Sequence, residues 1–324
     1  MKRYLLRRLL MIIPTMFVIT FISYMIMDMA PGDPTLAFVD FERQRATKEF
    51  LAELKEKLGL DKPWYVRYFK WLDRAFHGDF GYSLVTQRSV KWEISQRVNV
   101  TLLLCLISVL LSAFIGIALG IWAAIKHYKW QDTLVQMLSY LTMSVPQTWI
   151  CLGLMTVFVL ELGWFPSQGL KSLMLLNPTP WEAFVDQLKH MVLPIVCMTI
   201  PQIGSWARFQ RGAFLEAQNQ DFVRTARSKG LSEKKITWKH ILRNASLPTI
   251  TSIAGTLPSV VTGSVLIESV FGIPGLGGAL TSAASSRDYP MAMASMLITG
   301  ILTLAGILLS DVMYAIVDPR IRYN

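Results

Sequence analysis

The sequence predicts an all-α polytopic membrane protein: six transmembrane helices with a large external loop after the first. Three observations carry this. Of 324 residues, 52% are hydrophobic and 17% are charged, where a soluble domain has about a quarter charged. The apolar residues gather into long runs. The net charge of +10, from 32 Lys+Arg against 22 Asp+Glu, lies in polar intervals beside those runs. That is the pattern of basic loops held on the inner side of a membrane. Nucleic acid could also attract such charge, but its placement beside apolar runs assigns it to topology, and no nucleic-acid partner is expected.

The elements follow in order. Lys2, Arg3, Arg7 and Arg8 precede an apolar run over 9–27. A run of about 20 residues spans the bilayer. No small-residue cleavage pattern follows, so this reads as a retained first span with a cytoplasmic N-terminus. Residues 28–100 form the external loop. Within it, Phe50, Leu51, Leu54 and Leu58 recur at helical spacing in 45–58, and 63–76 is rich in aromatics: Trp64, Tyr65, Tyr68, Phe69, Trp71 and Phe76. Taken alone, these residues read as small helices at the membrane interface, where Trp and Tyr are favoured, ahead of a docking platform for an external partner. The second span covers 101–125, with Ala113, Gly116 and Gly120 as a small-residue ridge for close helix packing. A turn over 126–132, with Lys126 and Lys129, leads to the third span, 133–162, interrupted by Pro146. The fourth covers 188–209 with Pro194 and Pro201, the fifth 249–271 with Pro258, and the sixth 291–317. An even count puts both termini on one side, where Arg320 and Arg322 join the N-terminal bases.

Chemistry of its own is not expected of the chain. It has no GxxxxGK[ST] stretch to cradle ATP phosphates. Cys105, Cys151 and Cys197 stand alone in different apolar runs, and His77, His127, His190 and His240 are scattered. Neither a disulfide framework nor a metal site is implied. No catalytic residue is assigned. Glu161 and Glu268 fall near expected outer ends of spans, where water would reach them, and Asp311 lies nearer an inner end. Helix packing or capping is the role expected of all three.

The polar interval 221–248 stands out. It holds seven bases (Arg224, Arg227, Lys229, Lys234, Lys235, Lys239, Arg243) against Asp221 and Glu233. One central Arg or Lys costs about 2.5–3.5 kcal/mol to insert, so the interval lies in water. Asp221 is placed to cap a short helix over 221–229, with Gly230 to stop it. Ser232 is placed to cap a second helix, 233–243, leading into span five. By composition this is a cytosolic loop with orienting charge. By layout it is suited to being pushed by another protein.

Its residues resemble the coupling loop of ABC-transporter permeases of the oligopeptide/dipeptide and nickel importer family, the first permease of the pair. The family pattern is Glu-Ala-Ala, three residues, Gly, and a later Leu-Pro. Ala226, Gly230, Leu247 and Pro248 match, while Arg224 and Thr225 replace the Glu-Ala. RTARSKGLS (224–232) and HILRNASLP (240–248) are like the peptide branch, as are RRLLMIIPT (7–15), PGDP (31–34), GDFGYS (78–83), ESVFGIPGLG (268–277), RDYP (287–290) and DPRIR (318–322).

The resemblance covers the whole chain and implies the following. The fold is type I ABC importer permease-like: a single transmembrane permease domain over 1–324, with an external loop subdomain (28–100) and a cytoplasmic coupling loop (210–248). Expected partners are a second homologous permease, two cytoplasmic ATPase subunits that bind ATP and Mg, and an extracytoplasmic substrate-binding protein that delivers peptides. The expected location is a bacterial plasma membrane. The chain itself holds no cofactor. ATPase coupling falls to Asp221, Phe222, Val223, Arg224, Thr225, Ala226, Arg227 and Gly230. Ala226 would allow close packing against the ATPase, Phe222 and Val223 would give apolar contact, and the arginines would supply charge. The external loop would help receive the binding protein. Polar positions on spans three to five are candidates for the translocation path: Ser144, Gln147, Gln202, Ser259 and Thr262. Nickel or another small solute is the alternative cargo. A secondary transporter or channel is the rival class, and would need a midplane ion site or inverted repeats.

Overall fold

The structure is a computed structural model and describes residues 2–29, 62–172, 174–175 and 177–317. The periodic stretch 45–58, the PGDP motif and the tail with DPRIR lie outside the described residues. Helices dominate: α1 (Lys2–Met29), α2 (Trp64–Phe76), α3 (Val90–Ile125), α4 (Trp130–Ser144), α5 (Gln147–Met155), α6 (Pro180–Gln218), α7 (Asp221–Ser228), α8 (Glu233–Lys235), α9 (Leu242–Val270), α10 (Leu276–Ser285) and α11 (Tyr289–Val317). Wider π-type turns continue α5 over Thr156–Glu161 and join α8 to α9 over Ile236–Ile241.

Among the described residues, four helices are long and apolar enough to cross a bilayer: Leu10–Met29, Val90–Ile125, Pro180–Gln218 and Tyr289–Met313. The pair Trp130–Ser144 and Gln147–Glu161 would make one broken span, bent by 97°. The bend is where Pro146 was expected to interrupt span three. Proline disfavours the α conformation of the residue before it, and Val145 is extended at φ −83°, ψ 126°. α9 is 29 residues long and covers the expected fifth span.

Several helices overrun their predicted bounds, two of them by the most. α3 starts at Val90 instead of 101, and α6 covers Pro180–Gln218 instead of 188–209. The 39 residues of α6 reach about 58 Å at 1.5 Å per residue, nearly twice the ~30 Å hydrocarbon core. Its early start has a local cause. Thr179 accepts from the Glu182 backbone N–H, the Glu182 side chain reciprocates, and Pro180 takes the first helical position.

The chain divides into two compact units. One comprises Met1–Leu5, Leu102–Ile273 and Thr303–Asn324. Its framework is the packing of α3, α4 and α9 on α6. The glycine ridge finds its partner here. A Cβ at Gly116 would lie 2.5 Å from Trp206 Cβ, and one at Gly120 would lie 2.5 Å from the Ala207 carbonyl oxygen. Gly204 of α6 likewise lies against Ser139 and Thr142 of α4.

The other unit comprises Leu6–Thr101 and Pro274–Leu302. Met27, Val90, Ile94, Leu276, Ala279, Ala283 and 291–294 form its core. Three stretches that carried the family resemblance meet in it. In GDFGYS, Gly78 and Gly81 take positive φ (72° and 76°), and Ser83 Oγ donates to buried Asp288 of RDYP. The Leu276 N–H of the GIPGLG stretch donates to Thr101 Oγ1 at 2.9 Å.

Candidate functional site

The candidate site is the short helix α7 and the base beneath it. α7 ends through a double hydrogen bond that requires Gly230. The Gly230 N–H donates to Arg227 O at 2.9 Å, and the Leu231 N–H to Ala226 O at 3.3 Å. This geometry needs a left-handed residue after the helix, and Gly230 has φ +72°. The expected stop signal is thus in place. The start differs from expectation: Gln220 is the cap residue, Asp221 is the first helical residue, and neither Gln220 nor Ser232 makes a side-chain cap. Asp221 still complements the positive helix N-terminus by charge.

Positions 223 and 226 define the inward face. Val223 is 0% and Ala226 5% exposed. They pack with Ala124 of α3, Phe214 and Ala217 of α6, and Ile236, Ile241 and Ala245 on the path into α9. This corrects one expectation. Val223 and Ala226 contact this chain's own core and are not available to an ATPase. The outward face consists of Asp221, Phe222, Arg224, Thr225 and Ser228, with Phe222 its one large apolar side chain. Across the turn, Arg227 grips Glu233, Nε to Oε1 at 2.8 Å and Nη2 to Oε2 at 3.3 Å. The guanidinium holds the Glu233 carboxyl below its ordinary value, and the carboxylate raises Arg227 in return.

The second predicted helix, 233–243, is not separate. The run from Glu233 through the π-turn continues into α9, so α7 is followed by one continuous helical run. That run is pinned to α6 where Thr249 Oγ1 donates to Gln210 Oε1 at 2.5 Å, both residues fully buried.

Sequence reasoning missed a further anchor. Arg211 of α6 forks onto Asp132 of α4, Nε to Oδ1 at 2.6 Å and Nη2 to Oδ2 at 2.8 Å. The same carboxylate accepts from the Tyr128 N–H at 3.2 Å and from Gln136 Nε2 at 3.2 Å. His127 Nδ1 lies 3.0 Å from it. Its side chain is 4% exposed, so the pair is a buried one. The only prior signal was an acid beside two lysines in a short turn, which reads as ordinary topology. Through α6, this anchor ties the α3–α4 turn to the base of α7.

The translocation candidates scatter. Ser144 is exposed, and its Oγ returns to Tyr140 O at 2.7 Å. Gln147 Nε2 donates to Cys197 O at 3.3 Å. That carbonyl has lost its usual helical donor, because Pro201 four residues on has no N–H. Gln147 therefore repairs the α6 proline site. Gln202 Nε2 donates to Met198 O at 3.2 Å and its Oε1 lies 3.4 Å from Ser112 Oγ, between α6 and α3. Ser259 and Thr262 lie on α9, and their side chains are outside the described residues. One sequence reading changes. Glu268 is fully buried, so water does not reach it as expected. Cys151 and Cys197 are both fully buried.

The described residues thus combine four long apolar helices and one broken pair with a short amphipathic helix whose inner face is buried. Residues 116–323 match the binding-protein-dependent transport system inner membrane component, and residues 1–105 match the N-terminal membrane component of the same systems. The chain is 40% identical over 324 residues, all of both proteins, to the oligopeptide transport system permease protein AppB of Bacillus subtilis (strain 168). It is 33% identical, again over all of both, to the glutathione transport system permease protein GsiC of Salmonella paratyphi A. Among solved structures, an amino acid ABC transporter crystallised with histidines superposes with TM-score 0.54 at 14% identity, covering 68% of this chain and 92% of that one. The MetNI methionine ABC transporter, inward facing, gives TM-score 0.53 at 18% identity, covering 71% and 97%. The chain belongs to the binding-protein-dependent transport system permease family: it is a multi-pass membrane permease of an ABC importer.

Proposed function

We propose that this permease forms half of the translocation path for peptides in a bacterial plasma membrane, with a second homologous permease forming the other half. It crosses six times, with α9 as the fifth span, and both termini are cytoplasmic. An extracytoplasmic binding protein delivers the peptide, and two cytoplasmic ATPase subunits hold ATP and Mg. α7 docks on one ATPase through Asp221, Phe222, Arg224, Thr225 and Ser228. ATP-driven closure of the ATPases moves α7 together with α6, α9 and the α3–α4 turn, switching the core between inward- and outward-facing states.

The supporting observation is the division of α7 into two faces. Val223 and Ala226 fix it to the chain while Phe222 and the charged residues stand free of the core. Peptide as cargo is supported by full-length relatives described as oligopeptide and peptide permeases. Of the path candidates, Ser144, Ser259 and Thr262 are kept as lining positions, whereas Gln147 and Gln202 serve helix packing. The test is uptake of labelled oligopeptides into proteoliposomes holding both permeases, the ATPases and the binding protein. Accumulation that requires ATP and every subunit is expected. Uptake driven by an ion gradient with the ATPases absent would move the protein to another class.

A further inference from the structure

Helix α2 carries three parallel stripes, each at three- and four-residue spacing. Trp64, Tyr68, Trp71 and Ala75 form the first. Tyr68 is 0% exposed, and its ring lies 5.9 Å from Phe17, 5.6 Å from Phe21 and 5.3 Å from Tyr24 of α1. Tyr65, Phe69, Leu72 and Phe76 form the second. Here Tyr65, Phe69 and Phe76 are 49%, 56% and 79% exposed. Arg67, Lys70 and Arg74, with His77 just beyond the helix, form a basic third stripe. The docked stripe thus runs between the exposed aromatic stripe and the basic one, about 100° from each around the helix.

Contacts with α1 set the depth of α2. Tyr68 Oη lies 3.0 Å from Thr20 Oγ1, and Arg67 Nη2 lies 2.6 Å from Asp28 Oδ1. Thr20 is near the middle of the apolar run Leu10–Met29 and Asp28 is at its end. The two are about 12 Å apart along the helix at 1.5 Å per residue. α2 therefore lies alongside the half of the span that ends at Met29, not beyond it. Whatever solvates this half of α1, which exposes Val18, Ile22 and Ile26, also solvates the aromatic stripe of α2.

We infer that α2 is an in-plane helix embedded in the bilayer interface, with lipid as the occupant of its Tyr65–Phe69–Leu72–Phe76 face. Helices of this kind sink about 5–10 Å into the boundary between headgroups and acyl chains, and aromatic rings favour that level. The basic stripe then faces the headgroups, with Arg67 paired to Asp28 and Arg74 to Asp79. This narrows the docking role expected of the external loop: the aromatic face of α2 belongs to lipid, and a binding protein is received elsewhere on the loop.

The test uses the full chain with its co-purifying subunits in phospholipid nanodiscs. Spin labels are placed at Tyr65→Cys, Phe69→Cys and Phe76→Cys, with Asp73→Cys and His77→Cys for comparison, in a chain whose three native cysteines are replaced. Labels at 65, 69 and 76 should collide severalfold more with oxygen than with a water-soluble nickel chelate, and labels at 73 and 77 the reverse. Aqueous behaviour at 69 and 76 overturns the inference. Shielding from both relaxants also overturns it, since the face is then covered by protein. Photolabelling of the unmodified chain with a lipid-soluble diazirine reads the same face without cysteine replacement. Labelling within 64–76 is expected, and its absence refutes lipid contact.

Discussion

Replacing Gly120 by alanine puts a methyl group into one of the close helix contacts of the first unit. Its Cβ would lie 2.5 Å from Ala207 O and 3.0 Å from Gln210 Cβ. Non-bonded carbon needs about 3.5 Å, so α3 and α6 must part by roughly 1 Å. Overpacking of this kind costs about 1–3 kcal/mol, and the better helix propensity of alanine returns about 1 kcal/mol. The net expectation is a loss of about 0–2 kcal/mol. Gly212, on α6, provides the control, because a Cβ there meets nothing within 4 Å. Alanine at Gly212 should stabilise by about 0.5–1 kcal/mol. The two variants should thus differ by about 0.5–3 kcal/mol. Thermal melts of the detergent-solubilised permease, where each kcal/mol is worth about 2–4 °C in a larger domain, resolve this difference. If Gly120→Ala melts at or above Gly212→Ala, the α3–α6 contact is not the close one described.

Asp132→Ala leaves Arg211, 17% exposed, without its carboxylate. The loss should be about 2–4 kcal/mol, below that of a fully buried pair because the guanidinium keeps some water. Adding Arg211→Met should recover much of it in SDS unfolding, and strict additivity would deny that the two act together. Gln147→Leu should cost about 1 kcal/mol through the orphaned Cys197 carbonyl with uptake KM unchanged; an altered KM at unchanged stability would return Gln147 to the path. Gly230→Arg should insert and fold but lose coupled transport. Its side chain has open space and only its φ of +72° is strained, at about 1–2 kcal/mol. Ala226→Glu, by contrast, puts a carboxyl into a core site and should lower the yield of folded permease itself. The Arg227–Glu233 link should respond to acid alone. Glu233 is held below its unfolded value, so the link is intact above the ordinary carboxylate range of about 4.3 and is lost as pH falls through the folded value. A spin label at Lys229→Cys should report this, and loosening between pH 7 and 6 would contradict it.

Much of the fold was legible because bilayers impose long apolar runs. Pro146 marked the break in span three, and Gly116 and Gly120 marked the close helix contact. Gly230 was readable as a helix stop because few other residues take its backbone conformation. What one sequence could not supply was direction around a short helix. Val223 and Phe222 are adjacent apolar residues on α7, and only the base formed by Phe214, Ala217 and Ile236 shows that Val223 turns inward. Contacts remote in sequence were equally hidden. Asp132 and Arg211 are 79 residues apart, and Ser83 and Asp288 are 205 apart. Helix ends were misplaced where polar residues continue a helix beyond its apolar run, as at both ends of α6.

The central claim is that the outward face of α7 receives the ATPase. Photo-cross-linking amino acids at Phe222 and Arg224, with Tyr82 as an exposed position in the other unit, test it in the assembled, ATP-hydrolysing complex. Adducts with an ATPase subunit from 222 and 224, and none from 82, are predicted. An intact, active complex giving no ATPase adduct from either α7 position would contradict it.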